Sequence, residues 1–288
     1  MNDPAASCRV IHFTIQALTQ KTFSEQYMTT RIVSFTPSIT ETLFALDIGD
    51  RVVGVTDACD YPSEAYAKPH VCSWFEPDMD RIKALDPDLI FGLETAHLHI
   101  RPFLEPMGIQ LELFNPRSVP DALADMLHLG KLLGEEDAAQ KLVGRLQHRL
   151  YNLARRVGRI APSERPAVSR VLEIENDKLM VAGPQSFQYD VIARGGGINV
   201  STGIDGAYPK VSFQQFKTWD PDMVFICGSD KHRVPRLKAD PEWRSLKSVR
   251  NGRLYQFPCG LTCRTGPRIV DMAELLFQTL YPKIGVKA

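Results

Sequence analysis

The chain has 288 residues, with 34 Lys and Arg against 34 Asp and Glu, so its formal net charge is zero. A balanced charge argues against a nucleic-acid-binding protein, whose affinity comes largely from a positive surface. A hydrophobic fraction of 44% and a charged fraction of 24% are typical of globular proteins and exclude a disordered chain. The length fits one large domain or two lobes, and no apolar run reaches the roughly 18 residues that a membrane span needs.

The beginning of the chain lacks the pattern of a secretory signal peptide. Such a signal has a basic start and about 7–15 apolar residues, whereas Asp3 comes early here and polar residues interrupt 10–18. We interpret residues 1–30 as an extension or a mis-assigned start, with Met28 as the alternative beginning. The sequence as given therefore predicts a cytoplasmic protein, and a periplasmic one if the N-terminus is mis-assigned.

Short apolar strands alternate with helices in the first part of the chain. Residues 31–35 predict a strand, and Thr36 or Ser38 can cap the next helix, which tolerates Pro37 in its first turn and is expected to end at Gly49. The pattern further predicts a β-like run at 52–55, a turn at 60–62, a helix at 79–85, and strands at 88–92 and 110–114. This alternation predicts an α/β fold with a parallel sheet.

A long amphipathic segment follows at 120–160. Within it, residues 136–157 place apolar side chains at steps of three and four, which predicts one continuous helix about 33 Å long. A helix of that length can tie two lobes together. We therefore predict an N-terminal α/β lobe at 31–119, a linking helix segment at 120–160 and a C-terminal α/β lobe at 161–288.

The α/β pattern restarts after a joint that contains prolines. The predicted elements are a strand at 168–174, helices at 186–193 and 212–217, strands at 223–227 and 253–257, and a helix at 266–280. The glycines at 195–197 fit a helix-terminating turn better than a phosphate-binding loop. The sequence Asp-Pro-Asp at 86–88 and again at 220–222 follows a helix and precedes an apolar strand, so the two halves resemble each other. A duplicated lobe on either side of one helix predicts a ligand-binding cleft.

Seven stretches together resemble a known family, the ABC-transporter substrate-binding proteins whose two lobes are joined by a rigid helix. They lie at 31–41, 53–57, 60–62, 71–74, 81–90, 196–200 and 264–268. Members carry cobalamin, haem or iron–siderophore complexes, and the stretches are most similar to the cobalamin-binding branch. The resemblance covers 31–282 and implies two Rossmann-like lobes joined by a single long backbone helix. It also implies a monomeric binding protein, not an enzyme, that captures cobalamin or a related corrinoid or metal chelate.

The resemblance assigns ligand contacts position by position. They fall at Pro37, Ser38, Ala58, Tyr61, Trp74, Tyr208, Gly260 and Arg264. Trp74 and Tyr208 are expected to cover the apolar face of the macrocycle. Each of these residues also has a purely structural interpretation: Trp74 could pack in a core, Tyr61 could shape a turn, and Arg264 could support the last helix.

The resemblance also implies docking on an ABC permease through one carboxylate on each lobe. Asp80 keeps the charge on the first lobe, but Gln214 stands at the second-lobe position, which puts a permease partner in doubt. An alternative hypothesis is a metal-dependent cytosolic enzyme that uses His97 and His99, two positions apart on an extended loop, or His232. A siderophore or haem binder is a further alternative.

The cysteines give weak signals. Six cysteines in a chain of this length do not form a disulfide framework, and free thiols fit a reducing compartment. Cys259 and Cys263 lie close in sequence, but no further ligand is near them, so we predict no metal site. The roles of these two residues and of Cys59 and Cys72 stay open.

Overall fold

The structure is a computed structural model that describes residues 30–73 and 76–285. Its described residues form two compact units. Unit 1 contains 30–114 and 127–140, and unit 2 contains 115–126 and 141–285. The domain boundaries predicted from the sequence stay a prediction.

Unit 1 is built on a five-stranded sheet in the order β3-β2-β1-β4-β5. All four neighbouring pairs are parallel, as predicted. The strands are β1 Ile32–Ser34, β2 Val52–Thr56, β3 His70–Cys72, β4 Leu89–Leu93 and β5 Gln110–Phe114. The helices are Pro37–Ala45, Ser63–Tyr66, Met79–Leu85, Glu94–His97 and Arg101–Leu104, with 3-10 turns at Gly49–Arg51, Leu98–Ile100 and Glu105–Met107. Val33, Phe35, Ile90 and Leu111 belong to its buried core.

The first helix shows which capping residue the chain uses. Thr36 has an extended backbone, and its Oγ1 accepts a hydrogen bond from the N–H of Ile39 at 3.2 Å. The helix ends at Ala45, four residues before the predicted stop at Gly49. The reason is Asp47, which takes a left-handed conformation with φ 59° and so supplies the turn that we assigned to glycine.

Two helices occupy the predicted linking segment. They are Val119–Leu133 and Glu136–Val157, separated by Gly134 with φ 75°. The second has the 22 residues and the bounds that the sequence predicts. Its predicted apolar stripe is buried at Ala139, Leu142, Val143, Leu146, Leu150, Leu153 and Val157, whereas Ala154, also predicted to belong to it, is exposed. That this helix holds two lobes at a fixed separation stays a prediction.

Unit 2 contains a six-stranded sheet, ordered β11-β10-β6-β7-β9 with β8 paired to β6. Its strands are β6 Ala167–Glu175, β7 Lys178–Val181, β8 Ile198–Asn199, β9 Lys210–Ser212, β10 Met223–Cys227 and β11 Leu254–Phe257. Besides 119–126 and 141–157 of the two helices above, its helices are Phe187–Arg194, Phe213–Trp219, Arg233–Ala239, Pro241–Arg244, Lys247–Arg250, Cys259–Thr262, Ile269–Leu280 and Pro282–Gly285, with a 3-10 turn at Pro162–Glu164. Val171, Phe216, Val224 and Ile226 belong to its buried core.

One strand of unit 2, β7, runs against the direction of the predicted parallel sheet. β7 pairs antiparallel with β6 and with β9, whereas β10, β11 and β8 keep the parallel arrangement. The reversal follows from the tight turn between β6 and β7, where Asn176 has φ 53° and only Asn176 and Asp177 separate the paired ends. Asparagine tolerates this left-handed conformation, and a two-residue connection joins only antiparallel strands.

The repeated Asp-Pro-Asp sequence has the same structure in both units. Asp86 and Asp220 end the helices Met79–Leu85 and Phe213–Trp219 with nearly identical dihedral angles, φ 44° and ψ 61° against φ 40° and ψ 61°. A residue before proline is disfavoured in the right-handed helical region, so the helix stops and the next strand begins at once. The junction between helix and strand is therefore the same in the two units, and the similarity of the two halves as wholes stays a prediction.

Candidate functional site

The first group of predicted contacts follows β1 in unit 1. Pro37 and Ser38 form the first turn of the helix Pro37–Ala45, and both are buried. The Oγ of Ser38 lies 3.1 Å from Oγ1 of Thr36, which caps the same helix. The hydroxyl of Ser38 is therefore already part of the network that begins the helix.

The second group follows β2, the parallel neighbour of β1, so both groups lie at the same carboxyl-end edge of the sheet. Oγ1 of Thr56 accepts a hydrogen bond from the N–H of Ala58 at 3.2 Å, and Tyr61 is 48% exposed. Between them, the buried Sγ of Cys59 lies 3.2 Å from Oγ1 of Thr40 and of Thr56. This thiol therefore links the segment after β2 to the helix Pro37–Ala45, a contact that no local sequence pattern indicated.

Trp74 lies outside the described residues, so its predicted role stays a prediction. The two predicted docking positions can be compared. Asp80 and Gln214 are both exposed and are both the second residue of their helices, after the capping residues Asp78 and Ser212. The two positions are equivalent in local structure, and only one carries a charge.

The predicted contacts of unit 2 lie around one hydrogen-bonded network. The hydroxyl of Tyr208 donates to Oε1 of Gln188 at 3.0 Å, and Nε2 of Gln188 donates to the carbonyl of Thr262 at 3.4 Å. Gln188 and Thr262 are buried, whereas Tyr208 is 40% exposed. Burial of the phenol end raises the pKa of Tyr208, so its hydroxyl stays protonated and can donate. The chain thus holds the Tyr208 ring in one position with part of its surface open.

Gly260 and Arg264 belong to the same segment as Thr262. Arg264 is buried, and a Cβ placed on Gly260 would lie 3.2 Å from Nη2 of Arg268 and 3.7 Å from Cζ of Arg264. Two guanidinium groups therefore approach the backbone of Gly260 closely. This concentration of positive charge suits carboxylate, phosphate or amide oxygens of a ligand.

Three cysteines meet beside this network, a grouping that the sequence prediction missed. Cys227 ends β10, whereas Cys259 and Cys263 follow the neighbouring strand β11, and the three Sγ atoms all lie within 4.8 Å of one another. The side chain of Arg170 reaches them from β6, with Nη2 2.9 Å from the sulfur of Cys227. We predicted no metal site at Cys259 and Cys263, and that prediction overlooked Cys227 as the third thiol.

The thiols of this group differ in acidity. The pKa of Cys227 is lowered well below its ordinary value, because its thiolate accepts a hydrogen bond from Cys263 and lies beside the Arg170 guanidinium. The pKa of Cys263 is raised by the same hydrogen bond and by burial. Burial raises the pKa of Cys259 to about 11. Of the three sulfurs, the one with the lowered pKa is that of Cys227, which lies next to the arginine.

The predicted pairing of His97 and His99 is wrong. His97 ends the helix Glu94–His97 and His99 lies in the 3-10 turn that follows, not on an extended loop. His97 is buried, with Nδ1 accepting the Leu93 N–H at 2.9 Å, whereas His99 is exposed. His232 precedes the helix Arg233–Ala239, and its N–H donates to Asp230. Among the described residues, none of these histidines joins two other metal-binding side chains.

Comparison with known proteins now gives the family. The family model described as "Periplasmic binding protein" matches residues 32–259. The chain belongs to the periplasmic binding protein family. It is 26% identical over 253 residues to the vitamin B12-binding protein of Photorhabdus laumondii, covering 87% of each chain. It is 27% identical over 201 residues to the vitamin B12-binding protein of Yersinia pestis, covering 69% of this chain and 70% of the relative.

Solved structures give the same fold. The periplasmic vitamin B12-binding protein BtuF of Vibrio cholerae matches with a TM-score of 0.73 at 21% identity, covering 90% of this chain and 99% of that one. A periplasmic haem-binding protein of Pseudomonas aeruginosa matches with a TM-score of 0.78 at 25% identity, covering 88% and 93%. Two α/β lobes, as predicted, are therefore the fold of this periplasmic binding protein family member.

Family membership makes the chain a substrate-binding protein and not an enzyme, as the sequence predicted. Members of the family bind small molecules and work with ABC permeases. In the part of the chain that the structure describes, no helix is both long and apolar enough to cross a membrane. Members of the family are periplasmic, and residues 1–29 of this chain, on which the predicted location depends, lie outside the described residues.

Proposed function

We propose that this protein captures cobalamin, or a related corrinoid or metal chelate, by non-covalent binding. The observation that carries the proposal is the match to a vitamin B12-binding protein over 87% of both chains. The site residues support it chemically. A corrinoid has a broad, mostly apolar macrocycle edged with amides, and it therefore needs aromatic surface together with a few fixed polar groups.

The residues of unit 2 fit such a ligand. The open part of the Tyr208 ring offers an apolar surface, and its hydroxyl is held by Gln188, so little side-chain freedom would be lost on binding. Arg264, beside Gly260, would meet amide or phosphate oxygens at the rim. Tyr208 would thus contribute packing surface, and Arg264 would contribute polar contacts.

The predicted contact residues of unit 1, taken by themselves, also fit such a ligand. Pro37, Ser38, Ala58 and Tyr61 lie at the carboxyl ends of adjacent parallel strands, where α/β folds bind their ligands. Trp74 would add an indole face against the macrocycle. Burying that ring contributes a few kcal/mol at about 25 cal/mol per Å².

A haem is the second candidate ligand. It is favoured by the 25% identical haem-binding protein of Pseudomonas aeruginosa, which shares the fold over 88% of this chain. Tyr208 and Arg264 would also suit it, because the open part of the Tyr208 ring can pack against a porphyrin and a guanidinium can pair with a propionate. The two candidates differ in the metal and in the charge at the rim of the macrocycle.

Titration separates the candidates. The protein is titrated with cyanocobalamin and, in parallel, with hemin, following tryptophan fluorescence, heat and the absorption of each ligand. We expect saturable binding of cyanocobalamin at micromolar concentration or below. If hemin binds saturably and cyanocobalamin does not bind, haem replaces the corrinoid as the proposed ligand. If neither ligand binds, the proposal is rejected.

Two substitutions locate the site. Trp74→Ala and Tyr208→Ala are each expected to weaken binding at least tenfold, or about 1.4 kcal/mol, because each removes aromatic contact surface. Tyr151→Ala is the matched control, since Tyr151 is also an exposed tyrosine and lies on the helix Glu136–Val157. Equal affinity in Tyr208→Ala and Tyr151→Ala would move the site away from Tyr208.

Transfer of the ligand to an ABC permease is part of the same proposal. Asp80 would supply a carboxylate for an arginine of the permease, and Gln214, at the equivalent helix position, would supply a neutral amide. A neutral group cannot form the second ion pair, so docking would rest mainly on Asp80. With a permease in hand, Asp80→Asn should weaken docking more than Gln214→Asn.

A further inference from the structure

The three thiols of Cys227, Cys259 and Cys263 are brought together by the sheet of unit 2. β10 and β11 are parallel neighbours, with Cys227 opposite Phe257, so the end of one strand lies next to the segment that follows the other. The Sγ atoms of Cys227 and Cys263 are 3.3 Å apart, and all three sulfurs lie within 4.8 Å of one another. These distances place three sulfur donors around one point.

The spacing matches a single metal ion. With a zinc–sulfur distance of about 2.3 Å and tetrahedral angles, two sulfur ligands of one ion are about 3.8 Å apart. The sulfurs of Cys227 and Cys263 are 3.3 Å apart and no two of the three are more than 4.8 Å apart, so each pair lies within about 1 Å of this value, and small side-chain rotations would bring all three to it. Cys259 and Cys263 are exposed, which leaves the ion a path from solvent and a fourth position for water or another ligand.

The charge around the thiols also fits. Arg170 is 1% exposed, and its Nη2 lies 2.9 Å from the sulfur of Cys227 and 3.6 Å from that of Cys263. Its guanidinium also lies over the ring of Phe225, with Cζ 5.6 Å from the ring centre. Among the described residues, no carboxylate forms an ion pair with Arg170; its guanidinium donates to the carbonyl of Val171 and to the two sulfurs.

A divalent ion would complete a balance of charge here. Three thiolates and one divalent ion carry a net charge of −1, which the guanidinium of Arg170 neutralises. The Nε atom of Arg170 is buried without a hydrogen-bond partner in the described part of the chain. A buried arginine so placed is costly unless the groups that it faces carry negative charge.

We propose that Cys227, Cys259 and Cys263 bind one thiophilic divalent metal ion of the zinc type, with its fourth position open. On binding, each thiol that is still protonated releases its proton to solvent as its sulfur–metal bond forms. The site differs from the proposed corrinoid site in its donors. It does not depend on that proposal, because a chain that binds Zn²⁺ and no corrinoid would still support it.

The test uses the full chain, reduced with a phosphine and freed of metal. It is titrated with Co²⁺ as a spectroscopic probe and then with Zn²⁺. We expect one equivalent of Co²⁺ to produce a thiolate-to-metal charge-transfer band together with tetrahedral ligand-field bands, and Zn²⁺ to displace it. No thiolate band, or a spectrum of octahedral Co²⁺ with oxygen ligands, would overturn the proposal.

Substitutions identify the ligands. Cys227→Ser, Cys259→Ser and Cys263→Ser are each expected to weaken Zn²⁺ binding at least about a hundredfold, because each removes one of three protein ligands. Cys72→Ala is the control, since Cys72 is a buried cysteine of unit 1 and should leave binding unchanged. Because Cys259 is exposed, Cys259→Ser keeps the test valid if another variant does not fold. The assignment would be overturned if Cys259→Ser and Cys263→Ser bound Zn²⁺ with unchanged affinity, or if Cys72→Ala lost Zn²⁺ binding.

Oxidation gives a separate check. The sulfurs of Cys227 and Cys263 are close enough that an oxidant could join them in a disulfide. Mass spectrometry of the protein before and after reduction detects that bond. If the reduced chain has all three thiols free and still does not bind Zn²⁺, the metal site is contradicted. If Zn²⁺ protects these thiols from an alkylating reagent, the metal site is supported.

Discussion

Two glycines in neighbouring helices show how the same residue can be replaceable at one position and required at another. Gly144 lies on the exposed side of the helix Glu136–Val157, and a Cβ added there would meet no other atom within 4 Å. Gly130, in the helix Val119–Leu133, is buried, and an added Cβ would lie 2.3 Å from the Cβ of Ala139 and 2.9 Å from the carbonyl oxygen of Glu135. The helix at 136–157 therefore packs against the other only because Gly130 has no side chain.

The first prediction is that Gly144→Ala raises the free energy of unfolding by about 0.5–1 kcal/mol, because alanine loses less backbone entropy in a helix. Gly130→Ala is expected to lower it by about 1–3 kcal/mol, because the methyl group would overlap buried atoms. Urea unfolding followed by circular dichroism measures both. If the free energy of unfolding changes in the same direction in both variants, this explanation is contradicted.

At the scale of elements, one carboxylate connects three parts of unit 2. Oδ2 of Asp222 accepts the N–H of Ala167 at 2.8 Å, which fixes the start of β6, and Oδ1 forms an ion pair with Lys247 of the helix Lys247–Arg250. Burial opposes the charged form, but the hydrogen bonds from Lys247 and from the Ala167 N–H outweigh it and lower the pKa of Asp222. Asp222 is also the last residue of the second Asp-Pro-Asp sequence, so the repeated motif ends helices and also anchors strands.

The second prediction concerns pH. A carboxyl group whose pKa is lowered in the folded state stabilises the fold above the unfolded pKa of about 4, and this contribution is lost as the pH falls through the folded value. The unfolding free energy of the wild-type protein should therefore fall more steeply below about pH 4 than that of Asp222→Asn. Denaturant titrations at several pH values test this, with Asp205→Asn, an exposed carboxylate of the same unit, as control. Parallel curves for the wild type and Asp222→Asn would refute it.

Ionic contacts between two helices of unit 2 contribute less to stability. The guanidinium of Arg149, on the helix Glu136–Val157, donates to Asp271 at 2.6 Å and to both carboxylate oxygens of Glu274 at 3.1 and 2.6 Å. The hydrogen bond to Glu274 is the main cause of the raised pKa of Arg149. The three side chains are partly exposed, so solvent weakens the interaction.

The third prediction is that Arg149→Met lowers the free energy of unfolding by about 1 kcal/mol or less at low salt, and by less at high salt, where the ion pairs are screened. Methionine keeps much of the aliphatic stem, so the change isolates the charge. Urea unfolding at two salt concentrations measures it. A loss that does not depend on salt would indicate that packing, not charge, accounts for the effect.

At the scale of the whole molecule, a ligand that binds only the folded protein stabilises it by mass action. At a cobalamin concentration 100 times the dissociation constant, the gain is about 2.7 kcal/mol. For domains of this size that gain corresponds to a rise in Tm of roughly 5–10 °C.

The fourth prediction is therefore a rise in Tm of that size on adding cyanocobalamin, with a smaller rise for Tyr208→Ala at the same ligand concentration. Differential scanning fluorimetry with an extrinsic dye measures it. A ligand that saturates the protein in titration but leaves Tm unchanged would have to bind the unfolded chain equally well, which contradicts capture by the folded site.

Much of the architecture follows from local sequence. Apolar runs bounded by Asp-Pro-Asp predicted β4 and β10, and the spacing of apolar residues predicted the bounds of the helix Glu136–Val157. The antiparallel strands β7 and β9 were missed, because they are short and their turn signal is a single asparagine. The paired histidines were wrongly placed because an extended loop was assumed where Glu94–His97 forms a helical turn.

The sequence by itself determined the alternation of strands and helices, the repeated junction between helix and strand, and the resemblance that assigns Tyr208 and Arg264 to ligand binding. Only the tertiary structure decided that Cys227 and Cys263, 36 residues apart, lie with their sulfurs at 3.3 Å and that Arg170 lies beneath them. The physical reason is strand order. Which strands become neighbours depends on how the whole sheet buries its apolar faces, and no local pattern records that β10 lies between β6 and β11.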